Sequence, residues 1–203
     1  MGGAVRGWAG AARAGGAALA SAAMYSDDPG SGSDLAELVV RWVRWVAAHR
    51  QPNNPIEDRT GRHAGRHQPD DVWFLAGTLG GAVTRQCVAP AGRPLFFPAF
   101  CWWEAGRTAE PAEPWAKATG FAQLDGAQLP LHSVGSPASF PVRGFFNNVV
   151  TAWPWPMQVS CWGLWCLVPP PSPGAHQLSF GGTDDQQLWV EAQYQLDVRQ
   201  VSG

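Results

Sequence analysis

His63 and His67 stand four residues apart, with Glu57, Asp58, Asp70 and Asp71 close by in sequence. On a helix that spacing turns both imidazoles to one face, where together with a carboxylate they hold a divalent metal. Gly61 and Gly65 argue instead for a loop, Arg62 and Arg66 repel a cation, and the glutamate of a zinc-protease motif is missing. The competing expectation is a polar surface loop in which Asp58 bonds the following turn. No cofactor is the first expectation, and a divalent metal on His63 and His67 is the alternative.

Other chemistry is less legible. Ser160, His132 and His176 supply parts of a Ser–His–Asp arrangement, but no Gly-x-Ser-x-Gly marks a nucleophile. Glu104 and Glu113 have no spacing that pairs them as acid and base. Four cysteines, Cys87, Cys101, Cys161 and Cys166, allow two disulfides in an exported chain, with three connectivities. Cys161 and Cys166 lie five apart, so on one strand they face opposite sides and cannot bridge. Cys87 with Cys101, on neighbouring predicted strands, is the expected pair in an oxidising compartment, and buried free thiols are the other reading. Without Cys-x-x-Cys a structural zinc site is not expected.

Aromatic residues are the remaining lead, with 12 Trp against 2 Tyr. Trp102-Trp103 and Trp153-Pro154-Trp155-Pro156 fall in or beside predicted loops, where large apolar rings need a reason to be exposed. Flat indoles there stack on sugar rings or meet a partner's apolar patch. The alternative is that they fold back and plug the ends of the fold, since Trp is strongly buried on average. Trp102, Trp103, Trp153 and Trp155 are therefore the expected ligand contacts, over loops rather than flat sheet faces. The partner is expected to be carbohydrate, a small molecule or another protein. Nucleic acid is not expected, because the sequence offers a single Lys117 and no basic stripe.

From Val72 onward the chain that must position these groups reads as strands. Residues 72–76 form a short apolar run closed by Gly77, Gly80 and Gly81, and 82–88 and 94–100 follow around the turn Pro90-Ala91-Gly92. Residues 120–124, the turn Asp125-Gly126 and residues 128–134 predict a hairpin. Residues 157–168 are apolar on both faces, as a central strand covered on each side would be. Between 188 and 198 every even position is apolar, and the odd ones, Trp189 excepted, are polar. Many short strands between turns predict a mainly β fold, a single antiparallel β-sandwich of Ig-like or jelly-roll-like kind.

One amphipathic helix, 34–49, precedes the strands. Ser33 is its N-cap, and Asp34 and Glu37 meet the positive end of the dipole. Leu35, Leu38, Val39, Trp42, Trp45 and Val46 recur at three- and four-residue steps, and Pro52 ends the run. The domain is expected to be single, from 34 to 203. Residues 1–33 read either as a disordered Gly/Ala arm or as a weak secretory signal, with Arg6 and Arg13 ahead of an Ala-rich stretch and Ala20-Ser21-Ala22 at the cleavage site. The signal reading places the protein outside the cell or in its envelope, and the arm reading allows the cytoplasm.

Bulk composition agrees. A length of 203 residues suffices for a substantial core. Charged residues make up only 15%, and 14 Lys and Arg against 16 Asp and Glu leave a net charge of -2, which excludes a polyelectrolyte or a basic nucleic-acid binder. Gly 24 and Pro 18 argue against a helical bundle. No run is long and apolar enough to predict a transmembrane helix.

Several segments occur in a characteristic order: Asn54-Pro55-Ile56-Glu57-Asp58-Arg59-Thr60-Gly61, Gln68, Val72-Trp73-Phe74-Leu75-Ala76-Gly77-Thr78, Arg85-Gln86-Cys87 leading to Pro90-Ala91-Gly92-Arg93-Pro94-Leu95-Phe96-Phe97-Pro98, and Ser172-Pro173-Gly174-Ala175-His176 running to Phe180-Gly181-Gly182. Together they resemble an uncharacterised family of secreted microbial β-sandwich proteins, over roughly residues 40 to 200. The resemblance implies an extracytoplasmic sandwich and no particular activity. It also implies a cysteine near position 64, presumed to bridge to the one at Cys87, and here that place is taken by Ala64. Two functions stand at this point. The first is a non-catalytic secreted or envelope-associated binding or structural protein; the alternative is a small-molecule enzyme, metal-dependent through His63 and His67.

Overall fold

The computed structural model describes residues 5–6 and 32–200. In chain order its elements are β1 (Val5–Arg6), α1 (Gly32–Ala47), β2 (Trp73–Phe74), β3 (Gly81–Pro90), β4 (Leu95–Gly106), β5 (Thr119–Leu124), β6 (Ala127–Gln128), β7 (His132–Gly135), β8 (Phe140–Val142), β9 (Met157–Val168), β10 (Gly174–Thr183) and β11 (Trp189–Arg199). Val5 and Arg6 pair with Ala105 and Glu104. The rest of the arm or signal expected over 1–33 lies outside the described residues up to residue 31. No described helix is long and apolar enough to cross a membrane.

The strands form two sheets. One runs β1-β4-β9-β7, with β2 also on β4 and β8 also on β9; the other runs β3-β11-β10-β5-β6. Neither is wholly antiparallel, which corrects the expected pairing. β3 lies parallel to β11, from Gly81 opposite Val190 to Pro90 opposite Arg199, and β2 lies parallel to β4. Alternation of side chains reports which face is buried and is silent on strand direction. Parallel neighbours need a long crossover, and here the chain passes through the other sheet between β3 and β11.

Two apolar layers result. Between the sheets, Phe97, Phe100, Trp162 and Leu164 meet Leu178, Phe180, Tyr194 and Leu196, and Phe97 stacks on Phe180 at 4.3 Å. On the opposite face of the first sheet, Leu35, Val39, Trp42 and Val46 of α1 pack on Phe74, Phe96, Trp103 and Trp165. Trp42 donates its indole N–H to the Leu75 carbonyl at 2.9 Å. The unbroken apolar run of β9 follows directly: Val159, Cys161 and Trp165 face the helix, while Trp162, Leu164 and Cys166 face the second sheet.

A bulge between Pro98 and Phe100 changes the phase of β4. Before it Phe96 faces the helix and Phe97 the second sheet; after it Phe100 faces the second sheet and Trp103 the helix. The expected hairpin forms through Asp125 and Gly126, whose φ of 51° and 81° suit a tight primed turn. Its second strand stops at Gln128, because Pro130 has no N–H to continue the ladder, and the chain crosses to the first sheet as β7.

Candidate binding surface

Most residues of the ordered motifs hold one another. Asn54 donates to the Val46 carbonyl at the end of α1 and accepts from the Ile56 N–H. Asp58 accepts from the Thr60 N–H and hydroxyl and from the His63 N–H, which hold its carboxyl below the usual range against the opposing effect of burial. Arg85, only 1% exposed, sends Nε to the Asp58 carbonyl, one terminal nitrogen to Ile56, and the other to Ala76, Gly77 and the Tyr194 hydroxyl. Gly61 has φ 86°, and a Cβ there would lie 2.2 Å from the Gln86 carbonyl oxygen, so only glycine fits. Gln68 clamps the N–H and carbonyl of Phe74. These residue types therefore serve architecture, tying the 54–68 loop to β2 and β3.

The sequence-expected metal ligands belong to that loop. His63 is half-buried with its N–H on Asp58, whereas His67 is exposed and lies edge-on to His49, with ring centroids 5.1 Å apart. His49 has both ring nitrogens on carbonyls, those of Trp45 and Arg66, and burial lowers its pKa. Among the described residues no group of three or more His, Cys, Asp or Glu is arranged to hold a metal.

All four thiols are free. Cys87 faces the layer between the sheets, whereas Cys101, beyond the bulge, faces the helix layer, so the expected Cys87–Cys101 bridge is not formed. The thiol that Cys101 meets is Cys161, on the neighbouring strand. Burial pushes Cys87 up to about 11 and Cys166 to about 12.

The four expected Trp contacts separate into two pairs. Trp102 and Trp103 stand on β4 and not in a loop: Trp103 is 7% exposed in the helix layer, and Trp102 is half-buried, edge-on to Trp115. Both faces of this sheet are covered, so both neighbours are drawn inward, and the bulge sets which of them faces the helix. Trp153 and Trp155 are 43% and 54% exposed and stack on each other at 4.9 Å with planes 8° apart. Phe146, which the sequence reading passed over, is 67% exposed and meets Trp153 edge-on at 5.5 Å. A Phe145-Phe146-Asn147-Asn148 run was the available signal, because paired Asn mark a turn and a turn lifts its neighbouring rings outward.

The loop that carries these rings, 143–156, is firmly held. Buried Asn148 donates to the Ala47 and His49 carbonyls past the end of α1, satisfying groups a helix terminus leaves open, and accepts from the Val150 N–H. Asn147 and Ala152 take left-handed φ of 59° each, and their backbones bond across the turn. The Thr151 hydroxyl donates to the Trp153 carbonyl. Outside the loop, Asn147 donates to Gln51, and Gln51 to Glu57 at 2.6 Å.

A broad polar groove also lies on the outer face of the second sheet, lined by Gln86, Gln177, Gln195, Asp197 and His176. There Asp125 accepts from His176 at 2.6 Å, and His176 also contacts the Ser172 carbonyl. No protein-family model matches the chain, and no curated protein matches it.

Proposed function

We propose that the chain is a non-catalytic binding protein, exported to the envelope or beyond, that holds carbohydrate on Phe146, Trp153 and Trp155. The observation that carries this reading is a stacked indole pair left outside the core of a fold that buries Trp42, Trp103, Trp162 and Trp165. Exposed flat rings on an anchored loop suit the C–H faces of pyranose rings, and the anchoring lowers the ordering entropy of contact. The two sheets share one core and α1 lies on an outer face, which supports a sandwich with an amphipathic helix, here of mixed strands. The motif order suggests membership of the secreted family that the sequence resembles. The metal-enzyme alternative draws no support from the positions of His63 and His67.

Electrophoresis through native gels containing a panel of neutral and acidic polysaccharides tests the reading. At least one polymer should retard the protein, and the double variant Trp153→Ala, Trp155→Ala should run free. Its melting temperature should stay within about 2 °C of the parent, as for exposed substitutions. A variant that unfolds, or one still retarded, contradicts the proposal.

A further inference from the structure

We propose that this surface takes acidic rather than neutral polysaccharide, with Arg143 and Arg50 as its carboxylate-binding groups; the proposal rests on the carbohydrate reading above. Arg143 is exposed, and its Nε donates at 3.1 Å to the carbonyl of Pro154, the residue between the two stacked indoles. That bond fixes the guanidinium beside the stack and uses one of its five donors. Arg50 is exposed as well and lies 4.6 Å from the ring centroid of Phe145, next in sequence to Phe146. Neither arginine has a carboxylate partner among the described residues, whereas Arg41, Arg93 and Arg199 are paired with Asp71, Asp70 and Asp197.

Residues 143–156 contain no Asp or Glu. Among the described residues, the one carboxylate joined to the loop by hydrogen bonds, Glu57, is reached through Gln51 and Asn147. A uronate residue presents what this surface lacks: a ring face with C–H groups for the indole, and a ring-borne carboxylate to which a planar guanidinium donates two parallel hydrogen bonds. An anionic membrane is the weaker fit, because electrostatic attachment to lipid draws on roughly four to eight basic residues and this surface has two.

Polygalacturonate and its fully methyl-esterified form share a backbone and differ in charge, so they separate the terms. Dissociation constants from gel retardation should be roughly tenfold tighter for the acid, the scale of one charge-assisted pair. Arg143→Gln should remove most of that difference and Arg50→Gln part of it, with each variant's melting temperature showing that it is folded. Added salt should weaken the acid polymer alone. Equal retardation by both polymers, unchanged in Arg143→Gln, overturns this inference and leaves the carbohydrate reading standing. Retardation by neither, nor by any polymer of the neutral panel, overturns both. Sedimentation with phosphatidylglycerol vesicles in place of polymer binding overturns it in favour of a membrane surface.

Discussion

Arg85 brings a guanidinium into the interior, where it meets carbonyl oxygens from two segments, Ile56 with Asp58 and Ala76 with Gly77, and the Tyr194 hydroxyl from a third. Burial is tolerated because every nitrogen of the guanidinium finds an acceptor. Replacing it with Met keeps the apolar stem and strands those carbonyls, at about 1–3 kcal/mol for each acceptor left without a donor. Urea unfolding of Arg85→Met should therefore show a loss of at least about 3 kcal/mol. Arg85→Lys should recover little, since one ammonium cannot reach three segments as a planar fork does. A loss under about 1 kcal/mol in Arg85→Met would mean the network is not what fixes the 54–68 loop. Sequence marks Arg85 only as part of a motif; its role appears when Ile56, Ala76 and Tyr194 arrive from distant positions.

Elements were legible in proportion to how local their signals are. The helix stripe from Leu35 to Val46, the doubly apolar run of β9 and the alternation of β11 follow from side chains a few residues apart, and each lies where the pattern puts it. The direction of β3 against β11 is set by contacts about a hundred residues apart and leaves no periodic trace. The bulge in β4 is equally silent, and because the strand expected over 94–100 runs on to Gly106, Trp102 and Trp103 stand on it although they read as lying in or beside a loop. The antiparallel pairing of β5 with β10 offers a test at this scale. The bond from His176 to Asp125, followed by the contact with Ser172, raises the pKa of His176 above its ordinary 6.5, and the same pair lowers that of Asp125. A raised histidine contributes stability fully present below pH 6.5 and lost as pH climbs through its folded value; the lowered carboxyl contributes stability present above 3.8 and lost as pH falls through its own. The stability gap between the parent and His176→Gln should thus be widest between these two values and shrink toward pH 9, staying below about 1 kcal/mol because the pair is near the surface. A gap that widens as pH rises above 6.5 would contradict the pairing.

At the scale of the whole molecule, one sheet carries apolar side chains on both faces, and this is where most of the tryptophans go. Trp42, Trp45, Trp103 and Trp165 fill the layer beneath the helix, and Trp162 lies between the sheets. With the interior so supplied, Phe146, Trp153 and Trp155 stand apart as rings the fold holds outward, on a loop bonded to the end of α1 by Asn148. Two of the five residues of this surface were legible in sequence, Trp153 and Trp155, because Pro154 and Pro156 keep their segment out of a strand; Phe146, Arg143 and Arg50 were not, because their places depend on the turn around Asn147 and Asn148. Hydrogen–deuterium exchange with saturating polygalacturonate tests that surface most directly. Protection on binding should be confined to peptides covering 143–156 and the segment carrying Arg50. Protection over β3, β10 and β11, where Gln86, Gln177 and Gln195 line the polar groove, or no protection at all, would contradict it.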